Sequence, residues 1–266
     1  MTLPLIQIDA FSEGPFTGNP AAVVPHDGTL DETLMQRIAE ENNLSETAFV
    51  APLEPDGCPR FALRWFTPTT EVELCGHATL GAAAALRDLG RTGDADRVAF
   101  DTKSGTLIAR FAGDLVEIDL PVAEPQRPCP AERLQRALGA PVEVALEHRY
   151  ALAVLPSEGA VRALAPHRAD LEEVGLPVIA TAPSTSDDVH FVSRFFAPTL
   201  GVFEDPVTGS AHCQLVPYWA ERLGSSELVA RQISARGGRL VCALDGDRVR
   251  LAGGAHVYLR GEICST

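Results

Sequence analysis

Lysine is nearly missing from this chain: Lys103 is the only one among 266 residues. An enzyme that works through a lysine Schiff base has a single candidate here, and the surrounding TKSGTL reads as a strand-to-turn segment in which a solvated residue is the plainer role. Basic charge is scarce throughout, with 22 Lys and Arg against 36 Asp and Glu and a formal net charge of −14. That field repels polyanions, and nucleic-acid binding draws on clustered Lys and Arg, so DNA and RNA are excluded as partners. No run approaches the roughly 18 consecutive apolar residues of a membrane span, and the N-terminus has neither the basic start nor the apolar stretch of a secretory signal. These absences predict no membrane association and a cytoplasmic location. The cysteines (Cys58, Cys75, Cys129, Cys213, Cys242 and Cys264) contain no C-x-x-C pair, so neither a zinc site nor a redox dithiol is signalled. In a reducing compartment they are expected as free thiols, most of them small core residues.

With 45% hydrophobic residues the chain can bury a substantial core, as one large domain or two of ordinary size. Leu3 to Ala10 and AAVV at 21–24 read as strands around the loop SEGPFTGNP. Thr29 with Glu32 three residues on is a capping-box pattern for a helix ending near Asn42 or Asn43. Strands are predicted at Leu44 to Val50, Phe61 to Phe66, Val98 to Phe100, Thr106 to Phe111 and Leu115 to Leu120. Four prolines between Pro121 and Pro130 mark a crossover. Helices follow at Ala131 to Leu138 and Pro166 to Val174, with strands at Tyr150 to Leu155 and Val189 to Phe196. Strands at Gln232 to Ala235, Leu240 to Leu244, Arg248 to Leu251 and Ala255 to Ile263 finish the chain. Many strands with few helices argue for α+β rather than alternating βαβ units.

One stretch occurs twice. Phe66 to Leu89 reads FTPTTEVELCGHATLGAAAALRDL, and Phe196 onward reads FAPTLGVFEDPVTGSAHCQLVPYWAERL. Aligned without gaps, Phe66, Pro68, Thr69 and Val72 fall on Phe196, Pro198, Thr199 and Val202, and Cys75 falls on Asp205. Both copies continue as turn, glycine, small residues and a helix stopped by glycine, at Gly90 and Gly224. Two similar halves are the expectation, 1–118 and 119–254, the first possibly completed by a returning strand at 255–266.

Helices that start at Gly76 and Gly209 offer unpaired N–H groups and partial positive charge, a local site for a carboxylate on an acidic protein. His77, Asp205, Thr208 and Ser210 lie at these turns, all of types that hydrogen-bond or exchange protons. Each also has a plain structural role: His77 as a packed helix-start residue, Asp205 before proline as a turn former, Ser210 as a cap. On local evidence Glu46 is a solvated strand carboxylate.

GPFTGNPAAVV, NNLSETAFV, FTPTTEVELCGHATLGAA and FEDPVTGSAHC together resemble the phenazine-biosynthesis PhzF-like family, which shares the diaminopimelate epimerase fold. The motifs span most of the chain. The resemblance implies two pseudo-symmetric lobes, each a curved or barrel-like, mostly antiparallel sheet around a central helix, with the active site in the cleft between them. It further implies a homodimer, no cofactor, no metal and a small-molecule carboxylate substrate. It assigns the acid/base role to Glu46, with His77 and Asp205 in the catalytic set and Gly76, Gly209, Thr208, Ser210 and Cys75 at the substrate. The implied activity is a cofactor-independent isomerase that moves a proton on its substrate. Two other readings stand beside it. One is an amino-acid epimerase or racemase using Cys75 with Asp205, since the related epimerases use two thiols and Asp205 occupies the second turn. The other is a noncatalytic small-molecule binder on the same fold.

Overall fold

Gly, Pro, Asn and Asp cut this chain into short strands whose apolar residues face one side, so each sheet has to curl over something that covers that face. In a computed structural model that describes residues 2–123 and 126–264, each sheet curls over a helix. The chain divides into two compact units, Met1–Leu120 with Leu251–Thr266, and Pro121–Arg250. Two residues of the expected crossover, 124–125, and the end of the expected returning strand, 265–266, lie outside the described residues.

The first unit holds β1 (Thr2–Ala10), β2 (Asn19–Pro25), α1 (Glu32–Asn42), β3 (Glu46–Leu53), β4 (Arg60–Phe66), β5 (Glu71–Val72), α2 (Gly76–Asp88), β6 (Arg97–Thr102), β7 (Gly105–Ala112) and β8 (Leu115–Pro121). The second holds β9 (Arg127–Pro128), α3 (Ala131–Leu138), β10 (Val144–Glu147), β11 (Ala151–Val154), α4 (Glu158–Arg162), α5 (Arg168–Glu172), β12 (Val178–Pro183), β13 (Phe191–Ala197), a 3-10 turn (Pro198–Leu200), β14 (Val202–Asp205), α6 (Gly209–Leu223), β15 (Glu227–Gln232) and β16 (Gly238–Asp245). A long strand β17 (Arg248–Cys264) ends the chain, and from Ala255 to Cys264 it pairs antiparallel with β1.

The pairing scheme of the first unit recurs in the second. Antiparallel β1–β2, parallel β2–β3, antiparallel β3–β4 and β4–β5, parallel β4–β6 and antiparallel β6–β7 make the first. Antiparallel β10–β11, parallel β11–β12, antiparallel β12–β13 and β13–β14, parallel β13–β15 and antiparallel β15–β16 make the second. A shared side-chain clamp marks the repeat. Arg64 on β4 grips Glu71 on β5 with two bonds of 2.8 Å, and its guanidinium sits 5.1 Å over the Phe66 ring. Arg194 on β13 grips Glu204 on β14 at 2.7 and 2.8 Å and sits 4.8 Å over Phe196. Such bidentate pairs hold a geometry that a point charge does not.

The central helices are buried nearly all round, as helices wrapped by a sheet must be. In α2 the residues are mostly Ala and Gly, so strands approach closely, and fully buried Leu80 and Leu86 are its large anchors. Its alanines also carry the best helix propensity. It ends where Gly90 takes the left-handed conformation at φ 68°.

Several expectations shift by a few residues. The cap of α1 is Asp31, whose carboxylate accepts from the Leu34 N–H at 2.9 Å, while Thr29 bonds Asp27 instead of forming the expected box. The strand expected at 232–235 lies earlier, as β15, and the two expected after Arg248 are one. Strands β10 and β12 have no counterpart in the sequence reading. Lys103 is exposed and paired with Glu71.

Two glycines make opposite predictions. A Cβ on Gly81, inside α2, would rest at 3.6 Å from Ile8 and 3.7 Å from Ala21, ordinary contact distances. Gly81→Ala should therefore stabilise by about 0.5–1 kcal/mol through helix propensity. A Cβ on Gly254 would meet the Ser12 carbonyl oxygen at 2.4 Å, against the strand edge that Ser12 bonds. Gly254→Ala should destabilise by about 1–3 kcal/mol, and denaturant unfolding of the two variants beside wild type reads both signs.

Candidate active site

Parallel pairing sets Glu46, the first residue of β3, beside Ala21 of β2, and α2 packs across β1, β2 and β3. The start of α2 thus arrives next to the start of β3. There His77 Nε2 lies 3.1 Å from Glu46 Oε2, and Nδ1 of the same ring lies 3.5 Å from Cys75 Sγ. His77 and Cys75 are buried at 4% and 6% exposure, and the Glu46 side chain keeps 18%. The imidazole N–H is not aligned on the carboxylate: Nε2 and Oε2 are both shut off from solvent with no hydrogen-bond partner among the described residues. They attract as charges, and each keeps the capacity to bond a third group.

Burial works against a charge on His77, but the Cys75 sulfur and the Glu46 carboxylate outweigh it and hold the imidazole well above its ordinary value. Burial and then the charge of Glu46 push the Cys75 thiol up, with His77 opposing. Cys75, His77 and Glu46 thus form one buried cluster in which the charge state of each group depends on the other two. A helix start normally favours a thiolate; here desolvation wins. The Cys75 sulfur makes no strict capping bond at the start of α2, though the Ala78 N–H lies near enough to favour its charged form.

The second unit builds its turn from hydroxyls and amides. Thr208 precedes α6 but leaves it without a side-chain cap, because its hydroxyl donates to Asp205 Oδ2. Gln232, fully buried at the end of β15, clamps this turn: its Oε1 accepts from the Thr208 N–H at 2.9 Å and its Nε2 donates to the Asp205 carbonyl at 2.7 Å. The Ser210 hydroxyl lies 2.9 Å from that of Tyr150. Tyr150 is held edge-on to Phe195 at 4.9 Å, and the Gln214 side chain bonds both its backbone N–H and carbonyl.

Glu46, Cys75, Gly76 and His77 are therefore together in one unit, and Asp205, Thr208, Gly209 and Ser210 in the other. Tyr150, Gln214 and Gln232 are not among the site residues expected from the sequence. The available signal for Gln232 was its place on the inward face after Leu228 and Ala230, where an apolar residue is the default. The gapless alignment of Cys75 with Asp205 is corrected by the helix starts. Phe66 precedes Gly76 by ten positions and Phe196 precedes Gly209 by thirteen, because the 3-10 turn and Gly201 lengthen the second loop. Thr208, not Asp205, stands where Cys75 stands, Ser210 matches His77, and His212 matches Thr79.

A concavity of about 670 Å³, lined in part by Leu53, Cys58, Phe61 and Arg91, lies elsewhere in the first unit. It is at the far end of β3 from Glu46, about 23 Å along the strand, and offers no acid–base pair.

Residues 8–261 match the family model described as phenazine biosynthesis-like protein, PhzC-PhzF. The chain belongs to the PhzC-PhzF family. It is 48% identical to an uncharacterized isomerase of Pseudomonas aeruginosa over 99% of each chain. Among solved structures, a PhzF-family protein of Enterococcus faecalis is 40% identical, covers 100% of both chains and superposes with a TM-score of 0.93. A hydroxyproline epimerase of Agrobacterium vitis shares the fold at a TM-score of 0.61 and 10% identity, over 98% of this chain and 92% of that one. Within the PhzC-PhzF chain, no helix among the described residues is long and apolar enough to cross a membrane.

His212 shows what burial does without a countercharge. Its Nδ1–H donates to the Thr208 carbonyl at 2.8 Å, its Nε2 is buried without a hydrogen bond among the described residues, and burial lowers its pKa to about 4. Below pH 6.5 the unfolded chain protonates this histidine and the folded one does not, so stability falls as pH drops toward 4, by up to about 3 kcal/mol. His77, shifted upward, contributes in the opposite sense, with stability present below pH 6.5 and lost as pH rises through its folded value. Unfolding curves between pH 7 and 4 should be markedly flatter in His212→Asn than in the unsubstituted chain.

Proposed function

We propose that this protein is an isomerase that moves a proton on a small carboxylate-bearing molecule, with Glu46 as the acid/base. The observation that carries this reading is the buried Glu46–His77 pair, Oε2 and Nε2 3.1 Å apart at the start of α2. The isomerase named among the 48% identical relatives supports the reaction class.

Glu46 takes a proton from a substrate carbon, and the first N–H groups of α2 hold an anionic oxygen of the substrate. The two buried groups are coupled. Once Glu46 is neutralised, His77 loses the carboxylate that favours its charge and becomes the stronger acid, ready to meet negative charge that develops on the substrate. Glu46, its side chain 18% exposed, exchanges that proton with solvent and returns one to another carbon of the same molecule, so the net reaction consumes no proton. The second unit's own turn offers Asp205, Thr208, Gly209 and Ser210 as candidate ligand-contacting residues.

Epimerisation by Cys75 with Asp205 is the weaker reading. Cys75 stays a thiol, and its positional counterpart is the hydroxyl of Thr208. Incubation with cyclic dienoic acids and with amino acids in D₂O tests the proposal by mass spectrometry. At least one unsaturated acid should take up deuterium, and Glu46→Gln should slow that uptake by about 10²–10⁴-fold. Uptake unchanged in Glu46→Gln would remove the proposed acid/base, and tight binding without any uptake would leave a binding protein.

A further inference from the structure

The sequence carries no zinc spacing, yet the fold brings one sulfur, one imidazole nitrogen and one carboxylate oxygen, from Cys75, His77 and Glu46, all within 4.8 Å of one another. We propose that these residues form a binding site for a borderline-soft divalent cation of the Zn²⁺ type, and that an ion bound there blocks the proton chemistry of the same groups. The inhibitory half rests on the function proposed above; the binding half does not.

Donor chemistry selects the ion. A thiolate, an imidazole and a carboxylate suit Zn²⁺ and Co²⁺, whereas Mg²⁺ and Ca²⁺ take oxygen ligands. Geometry is close to what is needed. On a tetrahedral zinc, sulfur and nitrogen ligands stand about 3.6 Å apart, and Cys75 Sγ and His77 Nδ1 are already 3.5 Å apart. The ring presents Nδ1 to the sulfur and Nε2 to the carboxylate, so one nitrogen shares an ion with both partners only after a small movement. Closing the widest separation from 4.8 Å requires about 1 Å. Glu46 has that freedom, being the first residue of its strand, partly exposed, and without a hydrogen bond at Oε2 among the described residues. Three protein ligands leave a fourth position for water or for a substrate oxygen. The Thr79 hydroxyl donates to the Cys75 carbonyl at 2.6 Å and so fixes the turn that carries the sulfur.

Proton balance follows from the groups. Binding displaces the thiol proton of Cys75 and the proton on the coordinating nitrogen of His77, both to buffer, so affinity rises with pH. The bound ion then occupies the Glu46 oxygen and the His77 nitrogen that the isomerase reading requires to be free.

Titration of the full chain with Co²⁺ tests the site without any substrate. A sulfur-to-cobalt charge-transfer band in the near ultraviolet and tetrahedral visible bands should appear together, and excess Zn²⁺ but not Mg²⁺ should abolish both. Cys75→Ser should lose the charge-transfer band. Glu46→Gln should keep it and weaken Co²⁺ binding by at least the ~10–100-fold typical of an outer-shell loss. Absence of the sulfur band in the unsubstituted chain, or its persistence in Cys75→Ser, overturns the proposal. Deuterium uptake in the presence of Zn²⁺ reads the second half: it should stop at site saturation. Uptake that continues with the cobalt spectrum intact would contradict the inhibitory half, and would count against Glu46 as proton carrier without touching the site.

Discussion

A buried charge at the start of a helix is the constraint on which the first unit's chemistry depends. His77 sits between the carboxylate of Glu46 and the thiol of Cys75, too far inside to be solvated. Without Glu46 its imidazolium would be left in a low-dielectric site, a loss that breaking a buried pair makes large. With Glu46 present, the ring keeps its proton and the carboxylate keeps a neighbour that responds to its own charge. Everything that brings the two together is backbone: the parallel β2–β3 pairing that starts β3 at Glu46, and the Gly76 turn that starts α2 beside it. Small residues along α2 let β1 and β2 come close enough to hold that turn in place.

The second unit repeats the frame and changes the chemistry. The Arg–Glu clamps at Arg64–Glu71 and Arg194–Glu204 keep the strand pair ahead of each central helix in the same geometry. Past that point the units diverge. Thiol and imidazole become the hydroxyls of Thr208 and Ser210, and the threonine of the next helical turn becomes His212, buried and neutral. One frame thus carries a carboxylate, an imidazole and a thiol in one unit and a set of hydroxyls in the other. That asymmetry suits a reaction in which a single carboxylate both removes and returns the proton.

Much of this was legible in the sequence where chain punctuation is local. The glycine stops at Gly139 and Gly224 and the asparagine at Asn43 adopt left-handed conformations at the ends expected of them. Strands buried on both faces escaped, because β12 shows no apolar–polar alternation to read. Buried Gln232 hid the inward face of β15 and moved the expected strand downstream. The repeat was visible through Phe, Pro and Thr, but a three-residue insertion displaced the residue opposite Cys75, and only the helix starts reset the frame. The RWF and RFF triplets ahead of each copy held a further signal in their arginines. Glu46 shows where local reading ends. Its strand position fits a solvated carboxylate equally well, and the resemblance singled it out before any distance did.

The central claim is that Cys75 and Glu46 together raise the pKa of the buried His77, and nitrogen NMR of the protein labelled in its histidine side chains measures this most directly. The His77 ring should titrate above pH 6.5, and Glu46→Gln and Cys75→Ser should each lower its titration point. A His77 ring that titrates at or below pH 6.5 in the unsubstituted protein, or one whose titration does not respond to Glu46→Gln, would contradict the account.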